Sequence, residues 1–258
     1  MKKTMTSWNK FCFVSCLLIV CVSLSSGAGK DLPGYFPRCH RSDPKINECL
    51  LKATDQVRPY LIKGVPELNM PSIDPFTIPE VSLEQGSNIL NFKAKLNDII
   101  IHGLSNYKFS QFDFDVSKLQ FHCKGGIDEL KLEGKYDVNG LLLGAPVRGK
   151  GDFTAEIGSS NLTVFQAIKI VKKKGVEYTK PIFTNSTIEV AKPQAKLFGL
   201  FDNNEQLTKA TNEVIQDNVE KLFDDLKPVI EKVITSLVED LIFSIIANNV
   251  PYDKLYPK

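Results

Sequence analysis

NEQLTKATNEVIQDNVEKLFDDLKPVIEKVITSLVEDLIFSIIANN, residues Asn204–Asn249, is the stretch whose reading decides the fold. Its apolar residues recur in steps of three and four, through Leu207, Val214, Ile215, Leu222, Phe223, Leu226, Val229, Ile230, Val233 and Ile234. That spacing predicts an amphipathic helix. Asp202 or Asn203 can cap its start, with Glu205 or Gln206 three residues on, and Asn248, Asn249 and Pro251 end it. Unbroken, it would span about 65 Å. From Val233 to Ile246 apolar pairs recur every four residues, so the stripe winds around the helix and Leu241–Ala247 keeps almost no polar face. A helix apolar on most sides needs cover on most sides. Pro228 removes one backbone bond, which predicts a kink or break near Asp224–Pro228.

Outward from that helix, the period changes to two between Val81 and about Val190. Leu90, Phe92, Ala94 and Leu96 alternate with polar residues, as do Tyr107 and Phe109, then Phe112, Phe114 and Val116. The slip in parity at Ser110–Gln111 predicts a β-bulge. Leu130, Leu132, Tyr136 and Val138 lead to Asn139-Gly140, a hairpin signal, after which Leu141, Leu143, Ala145, Val147, Phe153, Ala155 and Ile157 share one parity. Gly149 and Gly151 occupy that same row, where glycine permits sharp curvature or the close approach of another backbone. Further strands are expected at Leu162–Val171, Val176–Phe183 and Thr187–Val190. Before the strands, Asp43 and Pro44 start a helix with an apolar face at Ile46, Cys49, Leu50, Ala53, Val57 and Leu61, which Pro59 or Gly64 ends. Met70–Pro79, with three prolines, reads as an irregular link. The order of short helix, antiparallel strands and long helix indicates an α+β fold. A curved antiparallel sheet wrapped around the long C-terminal helix covers both apolar surfaces with one core.

The first 28 residues have the pattern of a signal peptide: Lys2, Lys3 and Lys10, an apolar run from Phe11 to Leu24, then Ser26 and Ala28. Residues 29–258 are then expected to form one extracellular, secreted domain, with no later segment able to insert stably in a membrane. Loss of the three lysines takes the formal charge of the 258-residue chain from +2 to −1. A near-neutral chain does not suit nucleic acid, which needs a basic face. Cys12, Cys16 and Cys21 leave with the signal, Cys39 and Cys49 suit a disulfide in an oxidising compartment, and Cys123 reads as a buried thiol. Asn161-Leu-Thr163 and Asn185-Ser-Thr187 match the N-glycosylation pattern.

No catalytic, metal or cofactor motif stands out. Gly144-Ala-Pro-Val-Arg-Gly149-Lys150-Gly151 lacks the hydroxyl and the following helix of a phosphate loop. His40, His102 and His122 show no zinc-ligand spacing, and His122 and Cys123 are strand neighbours whose side chains diverge. The helix carboxylates, among them Glu213, Asp224 and Glu231, read as a solvated or loop-facing edge.

One set of landmarks runs the length of the chain: Asp31-Leu-Pro-Gly, Cys39…Glu48-Cys49-Leu50, Arg58-Pro59-Tyr60-Leu61…Gly64-Val65-Pro66, Ile73-Asp74-Pro75, Gly134-Lys-Tyr136…Gly140, Pro146-Val147-Arg-Gly149-Lys-Gly151 and Lys196-Leu-Phe…Leu207…Asn212…Leu226-Lys-Pro228. In order and spacing these resemble the insect takeout and juvenile hormone-binding proteins, within the tubular lipid-binding superfamily. The resemblance implies an apolar tunnel between sheet and helix, a Cys39–Cys49 bond, and a non-enzymatic carrier of a small elongated hydrophobic ligand such as a terpenoid hormone or a fatty acid. Candidate tunnel-lining residues are then Phe92, Phe109, Phe112, Phe114, Tyr136, Val147 and Phe153 on strands, with Leu222, Phe223 and Leu226 on the helix. The rival readings are a signalling module that binds a surface receptor with no ligand, and an esterase acting on lipids.

Overall fold

The computed structural model describes residues 30–86, 90–240 and 246–258. The expected signal segment, and helix positions Leu241, Ile242 and Ile245, lie outside the described residues. The fold is α+β, with long C-terminal helices against curved antiparallel β-structure. Helix α1 spans Ile46–Lys63, and Asp43 Oδ1 accepts from the Lys45 N–H at 2.8 Å at its entry. It runs through Pro59 and stops at Gly64, whose φ of +82° suits glycine.

Nine strands follow among the described residues: β1 (Phe76–Gly86), β2 (Leu90–His102), β3 (Lys108–Asp115), β4 (Gln120–Ile127), β5 (Leu130–Leu142), β6 (Ala145–Ile157), β7 (Ser160–Lys173), β8 (Val176–Val190) and β9 (Gln194–Leu197). They form two antiparallel sheets, β1-β2-β5-β6-β9 and β3-β4-β7-β8, where one was expected. Phe76–Pro79, expected in a link, already belongs to β1. Proline is tolerated there because β1 is an edge strand. The register of β3 on β4 slips between Phe109 and Gln111, where the bulge was expected.

The β5–β6 hairpin turns at Leu143-Gly144 and not at Asn139-Gly140. Both turn residues have positive φ, +51° and +81°, as a two-residue hairpin loop requires. Asn139-Gly140 lies inside β5, opposite Arg148 and Val147. Gly140 is needed for another reason: a Cβ there would collide with the backbone of Asn91 and Phe92 on β2.

Among the described residues the C-terminal stretch breaks into two long α-helices. After the turn α2 (Leu200–Asn203), α3 runs Glu205–Asp217 and α4 runs Val219–Val238. Asn204 caps α3, accepting from the Leu207 N–H at 3.1 Å, so neither Asp202 nor Asn203 does. The break falls at Asn218, whose side chain bonds back to the Val214 carbonyl (2.9 Å) while its own carbonyl accepts the first bond of α4. Pro228 sits inside a continuous α4. On α3 only Ile215 is buried, and Leu207 and Val214 of the expected stripe are exposed. A short α5, Tyr252–Leu255, packs on β8.

These helices cover the sheet edges, which would otherwise present unpaired backbone groups. Asn47 of α1 accepts from the Phe114 N–H of β3 (2.9 Å). Asn212 of α3 accepts from the Leu197 N–H of β9 (2.9 Å) and donates to the Leu197 carbonyl (2.7 Å). Glu231 of α4, expected in a solvated or loop-facing row, accepts from the Ile188 N–H of β8 (3.0 Å). α4 also packs along β1, so it bridges one edge of each sheet.

Candidate functional site

The candidate ligand residues divide among three apolar clusters. Phe92 lies with Ile215 and Leu222, and Leu226 packs against them together with Leu83, Ala94 and Val138. Tyr136, Val147 and Phe153 are buried with Phe76, Ile78, Ile99 and Leu200, and Leu237 of α4 touches this group. Phe109, Phe112 and Phe114 belong to the other sheet and face α1. Phe114 stacks on Phe121 at 4.2 Å and meets Tyr256 at 4.8 Å, within a core that also holds Cys39 and Ile46. Phe223 is half-buried and belongs to none of the three. The five-stranded sheet and α4 therefore bring together six of the ten residues, and the four-stranded sheet holds three more.

Why this sheet approaches the helices so closely is visible at the glycines. Gly149 forms a bridge to Leu200, and a Cβ at Gly151 would collide with the Phe198 carbonyl. The row of small residues thus admits the Phe198–Leu200 backbone, the segment leading into α3, and is not itself wrapped on the long helix. Tyr136 seals this contact by donating from its hydroxyl to the Phe198 carbonyl at 2.8 Å. Burial, with Asp152 nearby, pushes its phenol up to about 12, so it remains a donor at neutral pH.

Between helix and sheet the apolar surface is only partly used. In the twenty residues of α4, Leu222 alone is buried. Phe223, Leu226, Val229, Ile230, Val233, Ile234, Leu237 and Val238 all remain half-buried. So do Leu83, Ala94, Leu96, Val138 and Leu142 on the inward face of the five-stranded sheet. Filled cores bury such residues almost completely. Apolar surface left accessible on two facing elements is what a site for an apolar molecule requires.

A concavity of different character lies on the other side of β9. It is an open cleft of about 860 Å³ between β9 and α3, lined by Glu156, Lys196, Glu205, Lys209 and Glu213 among others. Charges of both signs suit water there rather than lipid.

The bond between Cys39 and Cys49 is present, with Cα atoms 5.7 Å apart, and ties the N-terminal loop to α1. Cys123 is a free, buried thiol, pushed up to about 12 by burial and then by Asp113, so it stays protonated. His122 is exposed on the opposite face. Among the described residues no group of His, Cys, Asp and Glu is placed to hold a metal, and no helix is long and apolar enough to cross a membrane. Sequence reasoning missed the edge-capping roles of Asn47, Asn212 and Glu231, since each partner strand is distant in the chain.

Fold and site together define a binding protein for small hydrophobic molecules, built on a helix held against curved sheets. The model of the family "Haemolymph juvenile hormone binding protein (JHBP)" matches residues 16–257, and the chain belongs to that family. It is a family of binding proteins, and this chain is not an enzyme. Circadian clock-controlled protein daywake of Drosophila melanogaster is 25% identical over 249 residues, covering 93% of this chain and 94% of that one. The putative beta-carotene-binding protein of Schistocerca gregaria is 22% identical over 219 residues, covering 84% and 86%. The crystal structure of Epiphyas postvittana Takeout 1 superposes with a TM-score of 0.70 at 17% identity, covering 86% of this chain and 99% of that one. At that identity the likeness speaks for the fold.

Proposed function

We propose that residues 1–28 are a signal peptide and that residues 29–258 form a single secreted domain, which carries a small elongated hydrophobic molecule in a tunnel between α4 and the sheets. The observation that carries this reading is the half-buried apolar surface shared by α4 and the inward face of the five-stranded sheet. Phe92, Tyr136, Val147, Phe153, Leu222 and Leu226 line the central part, and Phe223 borders it. Phe109, Phe112 and Phe114 close the end nearest α1. The family, named for juvenile hormone, and a relative named for beta-carotene support a terpenoid or similar lipid as ligand. Each 100 Å² of ligand surface taken from water would contribute about 2.5 kcal/mol before ordering costs. Asn161 and Asn185 are exposed on β7 and β8, which suits their glycosylation in a secreted chain.

Organic extraction of the purified protein, followed by mass spectrometry, tests the reading. A lipid recovered in stoichiometric amount is expected. An empty extract, together with no binding of lipid probes, would overturn it in favour of a signalling module without ligand.

A further inference from the structure

The inward face of the four-stranded sheet carries polar groups where its neighbours are apolar. Residues directly opposite in an antiparallel pair share a face. One inward row is therefore Phe112, Cys123, Val164 and Ser186, and the next is Phe114, Phe121, Gln166 and Thr184. Phe114, Phe121 and Cys123 are core residues, which fixes these rows as interior. On the other face His122, Phe165 and Phe183 form a chain of ring contacts, and Phe183 is exposed.

Ser186 is 2% exposed, and its hydroxyl has no hydrogen-bond partner among the described residues. Gln166 is 5% exposed. Its Nε2 donates to Thr184 Oγ1 at 3.1 Å, the one bond its side chain makes among the described residues. A buried polar group without a partner is costly, and such groups mark places where a missing partner arrives from elsewhere. Gln166 lies on β7 and the other two on β8, the edge strand along which α4 packs.

We infer that Gln166, Thr184 and Ser186 form a polar seat for one end of the ligand, and that this end is a neutral oxygen function such as an ester, ketone or alcohol. The donors and acceptors offered are an amide and two hydroxyls, all uncharged. No Lys, Arg or His lies on either inward row. The nearby charge is Glu231, whose carboxylate bonds the Ile188 N–H two residues beyond Ser186 on the same strand. An ionised carboxylate would find that like charge and no cation on either inward row, so a free fatty acid is disfavoured. From Glu231 back to Leu222 is about 13 Å along α4, the path left for an apolar tail toward Phe92.

This inference rests on the carrier reading, and one set of titrations separates the two. Delipidated wild type, Gln166→Leu and Ser186→Ala are titrated with methyl tetradecanoate, tetradecanoate and tetradecane, by displacement of N-phenyl-1-naphthylamine. Wild type is expected to prefer the ester over both others by about tenfold. Each variant should bring the ratio of ester to hydrocarbon affinity close to one. Ser186→Ala removes a hydroxyl that bonds nothing, so its melting temperature without ligand should stay level or rise. This variant therefore decides the matter even if Gln166→Leu folds poorly. A wild type without preference, or an undiminished preference in Ser186→Ala, overturns the polar seat while the carrier stands. If none of the three probes displaces the reporter, the carrier reading falls and the seat with it.

Discussion

Gly151 carries the clearest prediction at the scale of single residues. A valine there would drive its Cβ into the Phe198 carbonyl, and would stand 2.9 Å from the Phe198 carbonyl carbon. Phe198 cannot easily retreat, because its N–H donates to the Asp152 backbone carbonyl (2.9 Å) and its own carbonyl accepts from the Tyr136 hydroxyl. Gly151→Val should cost about 3 kcal/mol, read by urea unfolding, while Gly34→Ala, which meets nothing within 4 Å, should stay within about 0.5 kcal/mol. Asp74 predicts a pH dependence. Its carboxylate accepts from the Gly103 N–H (3.1 Å), the Ser105 N–H (3.0 Å) and the Ser105 hydroxyl. Burial pushes its pKa up, but the bonds from Ser105 and Gly103 outweigh burial and hold it below the ordinary 3.8. A folded pKa below the unfolded one gives stability that is complete above the unfolded value and lost as pH falls through the folded value. Asp74→Asn should therefore melt lower than wild type at pH 7, by about 2–4 °C, with the gap closing as the pH falls below the ordinary carboxylate value. A gap that is constant with pH would show that the charge of Asp74 is irrelevant.

At the scale of elements, helix side chains finish the sheets. Asn212 satisfies both backbone groups of Leu197, much as another strand would, and also donates to the Thr208 carbonyl at 3.0 Å. Asn212→Ala should cost about 2 kcal/mol and speed amide exchange at Leu197, since the two bonds are part-buried. Unchanged exchange at Leu197 would mean that α3 does not hold β9. The break at Asn218 follows the same chemistry. Asparagine competes for backbone groups and suits helix starts, whereas a proline within a helix removes a single bond that tertiary packing can outweigh. Pro228, the stronger local breaker, is overridden in α4, and the weaker signal of Asn218 marks the break. The hairpin tip shows the same limit. Asn139-Gly140 has the composition of a turn, yet its glycine answers the approach of β2, a strand some 50 positions away in the chain.

For the whole molecule, the question is whether the space beside α4 is filled by protein or left for a ligand. Phe223 tests it, since it is half-buried and belongs to none of the core clusters around the helix. Phe223→Trp should leave stability within about 1 kcal/mol of wild type, because the added volume enters unfilled space rather than a packed core. Lipid affinity should drop several-fold, measured by probe displacement. Trp8 is the only native tryptophan and lies in the proposed signal, so emission from the new indole should shift when a lipid binds. A loss of stability above about 2 kcal/mol with affinity intact would place the ligand elsewhere.

The chain's local patterns determined much by themselves. The period of 3.6 at Leu222–Ile234 marked α4, the period of two marked the strands, and the slip at Ser110–Gln111 located a bulge. The spacing of Cys39 and Cys49, in a chain whose N-terminus has the pattern of a signal peptide, indicated their bond. These are legible because they arise between residues close in sequence, where backbone geometry dictates which side chains share a face. Tertiary structure alone decided the division into two sheets, the turn at Leu143-Gly144, and the use of Gly149 and Gly151 to admit the Phe198–Leu200 backbone. It also decided the roles of Asn47, Asn212 and Glu231 as edge caps, and the polar row of Gln166, Thr184 and Ser186. Each of those depends on which distant segment comes to lie against a given residue. Periodicity records that a face is apolar, but how completely that face is covered depends on the packing of the whole chain.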